Sequence, residues 1–177
     1  DPLTLAYYFT IFPQHGILQP LRISMNADNI DPYLRPPMST LTREKKVSES
    51  KYVQLVTKIL NDRLTGVEQF GLKSSLNLSQ GNYAVKTGTS RDYHDSWTVG
   101  YTPDYVVVVW LGNAENKPLK HLSGQSGAGT IWKEAMELLI NSKYNKKTPL
   151  VWGEISAIPI ENNIDFVLPD DVISEHQ

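Results

Sequence analysis

The sequence predicts an α+β domain, an antiparallel sheet packed by helices, on three observations. Two strand-like runs, Trp97 to Tyr101 and Tyr105 to Leu111, are separated only by Thr102-Pro103-Asp104, a connection short enough for a hairpin. Four consecutive valines, Val106 to Val109, followed by Trp110 predict a strand covered on both faces and central in its sheet. Apolar residues recur at helical spacing in two segments, Val53, Val56, Ile59, Leu60 and Leu64 in one and Ile131, Trp132, Ala135, Leu138 and Leu139 in the other, which supplies helices to cover that sheet.

The remaining elements follow in chain order. Asp1 and Pro2 form a cap and a first helical turn, and Leu3, Leu5, Ala6, Phe9 and Phe12 line one face, so a helix is predicted over 2–12, ended by Pro13 and Gly16. Such an opening also predicts that the chain starts inside a longer protein. Between Ile17 and Thr42, prolines at 20, 32, 36 and 37 and the alternation Leu21-Arg22-Ile23-Ser24-Met25 predict a strand or two within a long loop. Ser48 is the expected N-cap of the helix that runs toward Gly66. Tyr83 to Lys86 is a third strand, and Thr130 to Asn141 is the last helix. Residues 143–177, with scattered prolines and an acidic end, form an extension or the start of a further domain.

Composition narrows the chemistry. The 177 residues are 40% apolar and 20% charged with a net charge of −2, which gives no electrostatic reason to expect a nucleic-acid partner. Cysteine is absent, excluding disulfides, thiolate metal sites and a cysteine nucleophile. His15, His94, His121 and His176 show no paired ligand spacing, so no metal or other cofactor is expected, and His94 reads as a surface loop residue. No apolar run is long enough to span a bilayer, so any membrane anchor would lie in segments outside this chain.

Lys86-Thr87-Gly88-Thr89-Ser90, at the end of the third strand, suits an anionic, acyl-bearing substrate. The lysine ammonium offers a point charge for a carboxylate, and the threonine hydroxyls offer directional hydrogen bonds. A glycine lets a ligand approach the backbone, whose edge can pair with an extended peptide and whose free N–H can face a developing oxyanion. Alone, a Lys-Thr-Gly triplet is a weak signal, since a glycine ending a strand is usually a turn.

Its surroundings strengthen it. The stretch from Tyr83 through Lys86-Thr87-Gly88-Thr89, Asp95-Ser96-Trp97-Thr98-Val99-Gly100 and Val106 to Asn113 resembles the third to fifth strands of the transpeptidase domain of bifunctional, class A penicillin-binding proteins, most closely the 1C type. Asp1 to Gly16, Ser48 to Asp62 and Ser123 to Trp132 resemble helices and helix entries of that family, so the similarity spans residues 1–142. It implies a β-lactamase/transpeptidase-like fold of which this chain is the C-terminal part.

The resemblance also implies roles. In the family a serine of a Ser-x-x-Lys motif attacks the penultimate D-alanine carbonyl of a peptidoglycan stem peptide, and an amine of a neighbouring stem then takes the acyl group. Lys86 and Thr89 would be catalytic, Lys86 through the proton network and Thr89 through its backbone N–H at the oxyanion. Lys86, Thr87, Gly88, Thr89 and Ser90 would bind substrate. Partners would be D-alanyl-D-alanine stem peptides, β-lactams as their mimics, and the remaining part of the same protein. The location would be periplasmic or otherwise extracytoplasmic, tethered to the cytoplasmic membrane.

Two look-alikes tempt a complete active site. Ser48-Glu49-Ser50-Lys51 matches Ser-x-x-Lys and Ser75-Leu76-Asn77 matches Ser-x-Asn, but both fall in the wrong place in the family order and have ordinary readings as cap and loop residues. The nucleophile is therefore expected upstream, leaving this chain alone inactive. Alternatives are a D,D-carboxypeptidase or β-lactamase-type hydrolase of the same fold, and a non-catalytic binding or scaffold module. Trp97, Trp110 and Trp132 are expected in the core, and Asp95 is expected to tie the start of its strand.

Overall fold

The structure, a computed structural model, describes residues 1–20, 43–63, 74–119, 122–160 and 163–169. Helix α1 spans Pro2–Phe9, with Asp1 Oδ1 accepting from Thr4 N at 2.8 Å and proline in the first turn. It is shorter than the expected 2–12, because turns carry the chain from Thr10 to Gly16. Its buried residue is Tyr7, whereas Leu3, expected inside, is 46% exposed. Gly16 sits at φ +89, and a Cβ there would lie 2.2 Å from Ser48 O, so both its conformation and its space demand glycine.

Gly16 explains a second correction. Its carbonyl accepts from Val47 N and Ser48 N, extending the short pairing of β1 (Ile17–Leu18) with β2 (Lys45–Lys46). Ser48 is thereby held outside the helix. Helix α2 spans Ser50–Asn61, and Glu49, not Ser48, occupies the N-cap position. The buried stripe of α2 is Val53, Gln54 and Thr57, while Val56 and Ile59 face outward at 40% and 65% exposure. Polar residues win the inward positions because each has a partner: Thr57 Oγ1 and Tyr101 Oη lie 2.9 Å apart, and Gln54 exchanges hydrogen bonds with Glu154. The strand expected at Leu21 to Met25 and the helix residue Leu64 lie outside the described residues.

The main sheet is antiparallel, in the order β3 (Ala84–Thr89), β4 (Asp95–Tyr101), β5 (Val106–Gly112). The β4–β5 hairpin is as expected. β5, expected at the centre, is instead terminal among the described strands, although α1 and the last helix both touch it. Among the described residues the valine run therefore reflects cover on two faces with a strand neighbour on one edge.

Helix α3 spans Ala128–Ile140 and buries Trp132, Met136 and Ile140, whereas Ile131 and Leu138, expected inside, are 46% and 76% exposed. Trp132 sets this rotation. A Cβ on Gly100 would lie 2.2 Å from the Trp132 ring, so the indole occupies the notch that the absent side chain leaves on the sheet. Around it pack Leu76, Tyr83, Val85, Val107 and Val109. Trp110 corrects the expectation of three core tryptophans: it is 42% exposed, on the opposite face of β5, with its ring lying over Gly112.

The described part of the tail folds back on the body. Strands β6 (Ser156–Ile160) and β7 (Asn163–Val167) form a hairpin, and the Lys58 ammonium of α2 lies 4.8 Å from the Trp152 ring and 4.2 Å from the Phe166 ring. Asn82 bonds to Thr148 O and Leu150 N, and Asp104 takes both the Thr148 amide and its hydroxyl. Among the described residues no helix is long and apolar enough to cross a membrane.

Two outcomes test this packing. Gly100→Ala should lower the unfolding free energy by about 3 kcal/mol, because neither the indole nor the Ala84 carbonyl can yield, whereas Gly88→Ala, whose Cβ would meet Trp97 Cβ at 3.6 Å, should cost far less. Chemical denaturation of both variants decides, and equal losses would refute the notch. Burial holds the Tyr101 phenol above its ordinary 10.0, with the Thr57 hydrogen bond offsetting only part. The stability it contributes is fully present below pH 10.0 and declines as pH rises beyond that toward the folded value. Spectrophotometric titration should show this tyrosine ionising with unfolding and not before it.

Candidate active site

Lys86-Thr87-Gly88-Thr89 lies wholly within β3, which runs further than the expected strand ending at Lys86. Thr-Gly-Thr reads as a turn in sequence, but pairing with Ser96, Trp97 and Thr98 keeps it extended. The strand divides into two faces. Val85 packs in the core under α3 and Thr87 and Thr89 share its face, while Lys86 and Gly88 lie on the face of Trp97, Val99 and Tyr101. Lys86 is exposed and is not covered by α3, and its ammonium donates to the Thr87 carbonyl.

The phase of the backbone is set at the strand end. Ser90 N donates to Asp95 O, so it faces β4, and by the alternation of an antiparallel ladder the N–H and C=O of Val85, Thr87 and Thr89 point the other way. Among the described residues no strand pairs with that outer edge. A hydrogen-bonding edge carrying one exposed cation is thus available to an extended, anionic ligand.

Neighbouring residues hold the ends of this edge. Thr89 Oγ1 accepts from Gly124 N at 2.9 Å, and Ser90 Oγ accepts from Asp95 N at 2.7 Å, closing the connection to β4. Asp95 does tie the start of its strand, accepting from Trp110 Nε1 at 2.8 Å. Asp92 and Tyr93, between the two strands, sit in the left-handed region at φ 56 and φ 59. His94 corrects the surface reading: it is half-buried, with Nδ1 enclosed and unpartnered. Among the described residues no three metal-ligating side chains converge.

Both look-alike motifs have structural work. The register puts Ala84 and Tyr101 next to the β4–β5 turn and Thr89 about 17 Å further along the strand. α2 meets the sheet at the Ala84 end, where Val53, Gln54 and Thr57 line a cavity with Pro103 of that turn. Ser48, the serine of the first look-alike, donates its Oγ to Glu49 O at 3.3 Å and its amide to Gly16 O, and Ser50, whose Oγ takes a hydrogen bond from Gln54, follows it at the start of α2, at that end of the sheet. Ser75 Oγ donates to Gln125 O at 2.6 Å, fastening the loop before α3, and Leu76 is core. A cavity of about 990 Å³ between α2, residues 77–83 and β7 includes none of residues 86–90. The strand edge is nonetheless the stronger candidate, because it sets an exposed cation beside outward backbone groups that no described strand pairs, whereas Lys58 of the cavity lies against the Trp152 and Phe166 rings.

No family model matches the chain. It is 31% identical over 118 residues to penicillin-binding protein 1A of Aquifex aeolicus, across 66% of this chain and 15% of that protein. The chain is homologous to class A penicillin-binding proteins. Penicillin-binding protein 1A of Neisseria meningitidis serogroup A is 25% identical over 161 residues, covering 88% of this chain and 20% of the relative. The crystal structure of penicillin-binding protein 1A from Haemophilus influenzae superposes with a TM-score of 0.65 at 16% identity, over 96% of this chain and 32% of that one, which shows the fold. The chain thus spans about a fifth or less of these curated penicillin-binding proteins.

The paired left-handed residues generate a prediction. Tyr93→Gly should raise stability by about 0.5–1 kcal/mol by relieving φ 59, partly offset by chain entropy. A fall in melting temperature would mean that the tyrosine ring contributes more than its backbone costs.

Proposed function

We propose that this chain is the C-terminal part of a peptidoglycan D,D-transpeptidase domain, residues 1–142, with 143–177 as an extension whose described part packs back on it. The observation that carries the reading is the Lys86-Thr87-Gly88-Thr89 segment on a sheet edge that no described strand pairs, with Lys86 exposed. The homology to proteins named for binding penicillin supports it. The resemblance to the 1C type within that class rests on the stretch Tyr83 to Asn113.

In this reading a serine supplied by polypeptide outside these residues attacks the penultimate D-alanine carbonyl. The carbonyl becomes an oxyanion facing the outward Thr89 N–H, the terminal D-alanine leaves with a proton, and an amine of a second stem displaces the serine. Lys86 supplies charge and proton-network support, Thr87 and Thr89 bind the terminal carboxylate, and Gly88 keeps the strand open to the backbone of the stem. Ser90, committed to Asp95 N, shapes the end of the edge. β-Lactams bind as mimics of the same unit, and the protein acts outside the cytoplasmic membrane through an anchor elsewhere in the polypeptide.

Fluorescent penicillin tests this. The longer protein should be covalently labelled and the isolated 177-residue chain should not. Lys86→Ala should lower labelling of the longer protein about a hundredfold, and Ser48→Ala should leave it unchanged. A labelled peptide containing Ser48 would overturn the assignment.

A further inference from the structure

The loop Ser123–Gly127 is bolted to the sheet beside the Lys-Thr-Gly strand. Ser96 Oγ donates to Ser123 O at 2.7 Å and accepts from Ala128 N at 3.0 Å, while Thr98 Oγ1 donates to Gly124 O at 2.7 Å. Ser96 and Thr98 are fully buried, so the loop cannot slide along β4 without stranding a polar atom away from water. Gly124 is pressed flat against the strands. A Cβ there would lie 2.6 Å from Trp97 O, 2.8 Å from Gly88 O and 2.9 Å from Thr87 Cβ, and the first two are backbone atoms with nowhere to go.

What reaches the candidate site from this loop is one N–H. A threonine hydroxyl has one proton and two lone pairs. Thr89 Oγ1 accepts from Gly124 N at 2.9 Å, which occupies a lone pair and leaves the hydroxyl proton to be donated elsewhere. Thr89 is exposed, so that proton is presented to the open edge of β3. We propose that Gly124 is a positioning residue whose amide fixes the Thr89 hydroxyl as a donor toward the carboxylate of a ligand bound along β3. Without that amide the hydroxyl is free to turn a lone pair toward the carboxylate, which repels it. The inference rests on the reading of this edge as the substrate site.

The test compares second-order acylation of the longer protein by a penicillin and by its methyl ester, which lacks the anionic carboxylate. Gly124→Ala and Thr89→Val should each slow the penicillin about tenfold, with the double variant no slower than either, and both should affect the ester little. Thr89→Ser should restore the wild-type preference. Ser79→Ala, which removes the hydroxyl hydrogen bond to Glu137 on α3, should lower stability alone. Equal losses for penicillin and ester, or multiplying losses in the double variant, would reduce Gly124 to a structural residue and overturn the proposal. Failure of the unsubstituted protein to react with either compound would overturn the transpeptidase reading instead. The clamp has its own readout: Gly124 amide exchange should be slow and should quicken in Thr89→Val, and unchanged exchange would refute the hydrogen bond.

Discussion

The seat of Trp132 over Gly100 is the contact on which the rest of the arrangement depends. A bare backbone at one sheet position admits an indole, and the indole fixes the rotation of α3. With the rotation fixed, Met136 and Ile140 follow it inward at intervals of four, and the loop before Ala128 is delivered to the same face of β4. From there Gly124 reaches Thr89. A packing choice in the core is thereby transmitted, through backbone hydrogen bonds, to a side chain at the sheet edge.

The chemistry of that edge divides along the strand. Alternation puts Thr87 and Thr89 on the α3 face and Lys86 and Gly88 on the other, while the backbone groups of 85, 87 and 89 point outward between them. One sheet edge can therefore present charge, hydroxyls and amides from four consecutive residues. The serines of the two look-alike motifs are engaged elsewhere, Ser48 with Glu49 O and Gly16 O ahead of α2 and Ser75 with Gln125 O in the loop before α3.

The strands of the main sheet were legible in the sequence because β-branched runs and a short connection leave few other options, as Val106 to Val109 and Thr102-Pro103-Asp104 illustrate, whereas the β1–β2 and β6–β7 pairs were not. Helix positions were legible too, but their inward faces were not. Periodicity weighs every apolar residue alike, so it favoured Val56, Ile59, Ile131 and Leu138, whereas burial went to Gln54 and Thr57, whose tertiary partners Glu154 and Tyr101 lie 100 and 44 residues away. The Lys-Thr-Gly segment stood out in the sequence through its motif, though its extension along β3 to Thr89 did not. Nor did Gly124, since its role comes from contact with backbone at positions 88 and 97, and nothing local distinguishes it from other loop glycines.

The Lys58 ammonium lies close to two aromatic rings that both belong to the last part of the chain. Together with the Asn82 and Asp104 attachments, this makes the described residues between 148 and 166 a strap that joins α2, the entry to β3 and the β4–β5 turn. A protein trimmed after residue 142 would bare a flank of α2 and leave the Lys58 ammonium without its aromatic cover, so this helix owes part of its shelter to chain that follows the last helix.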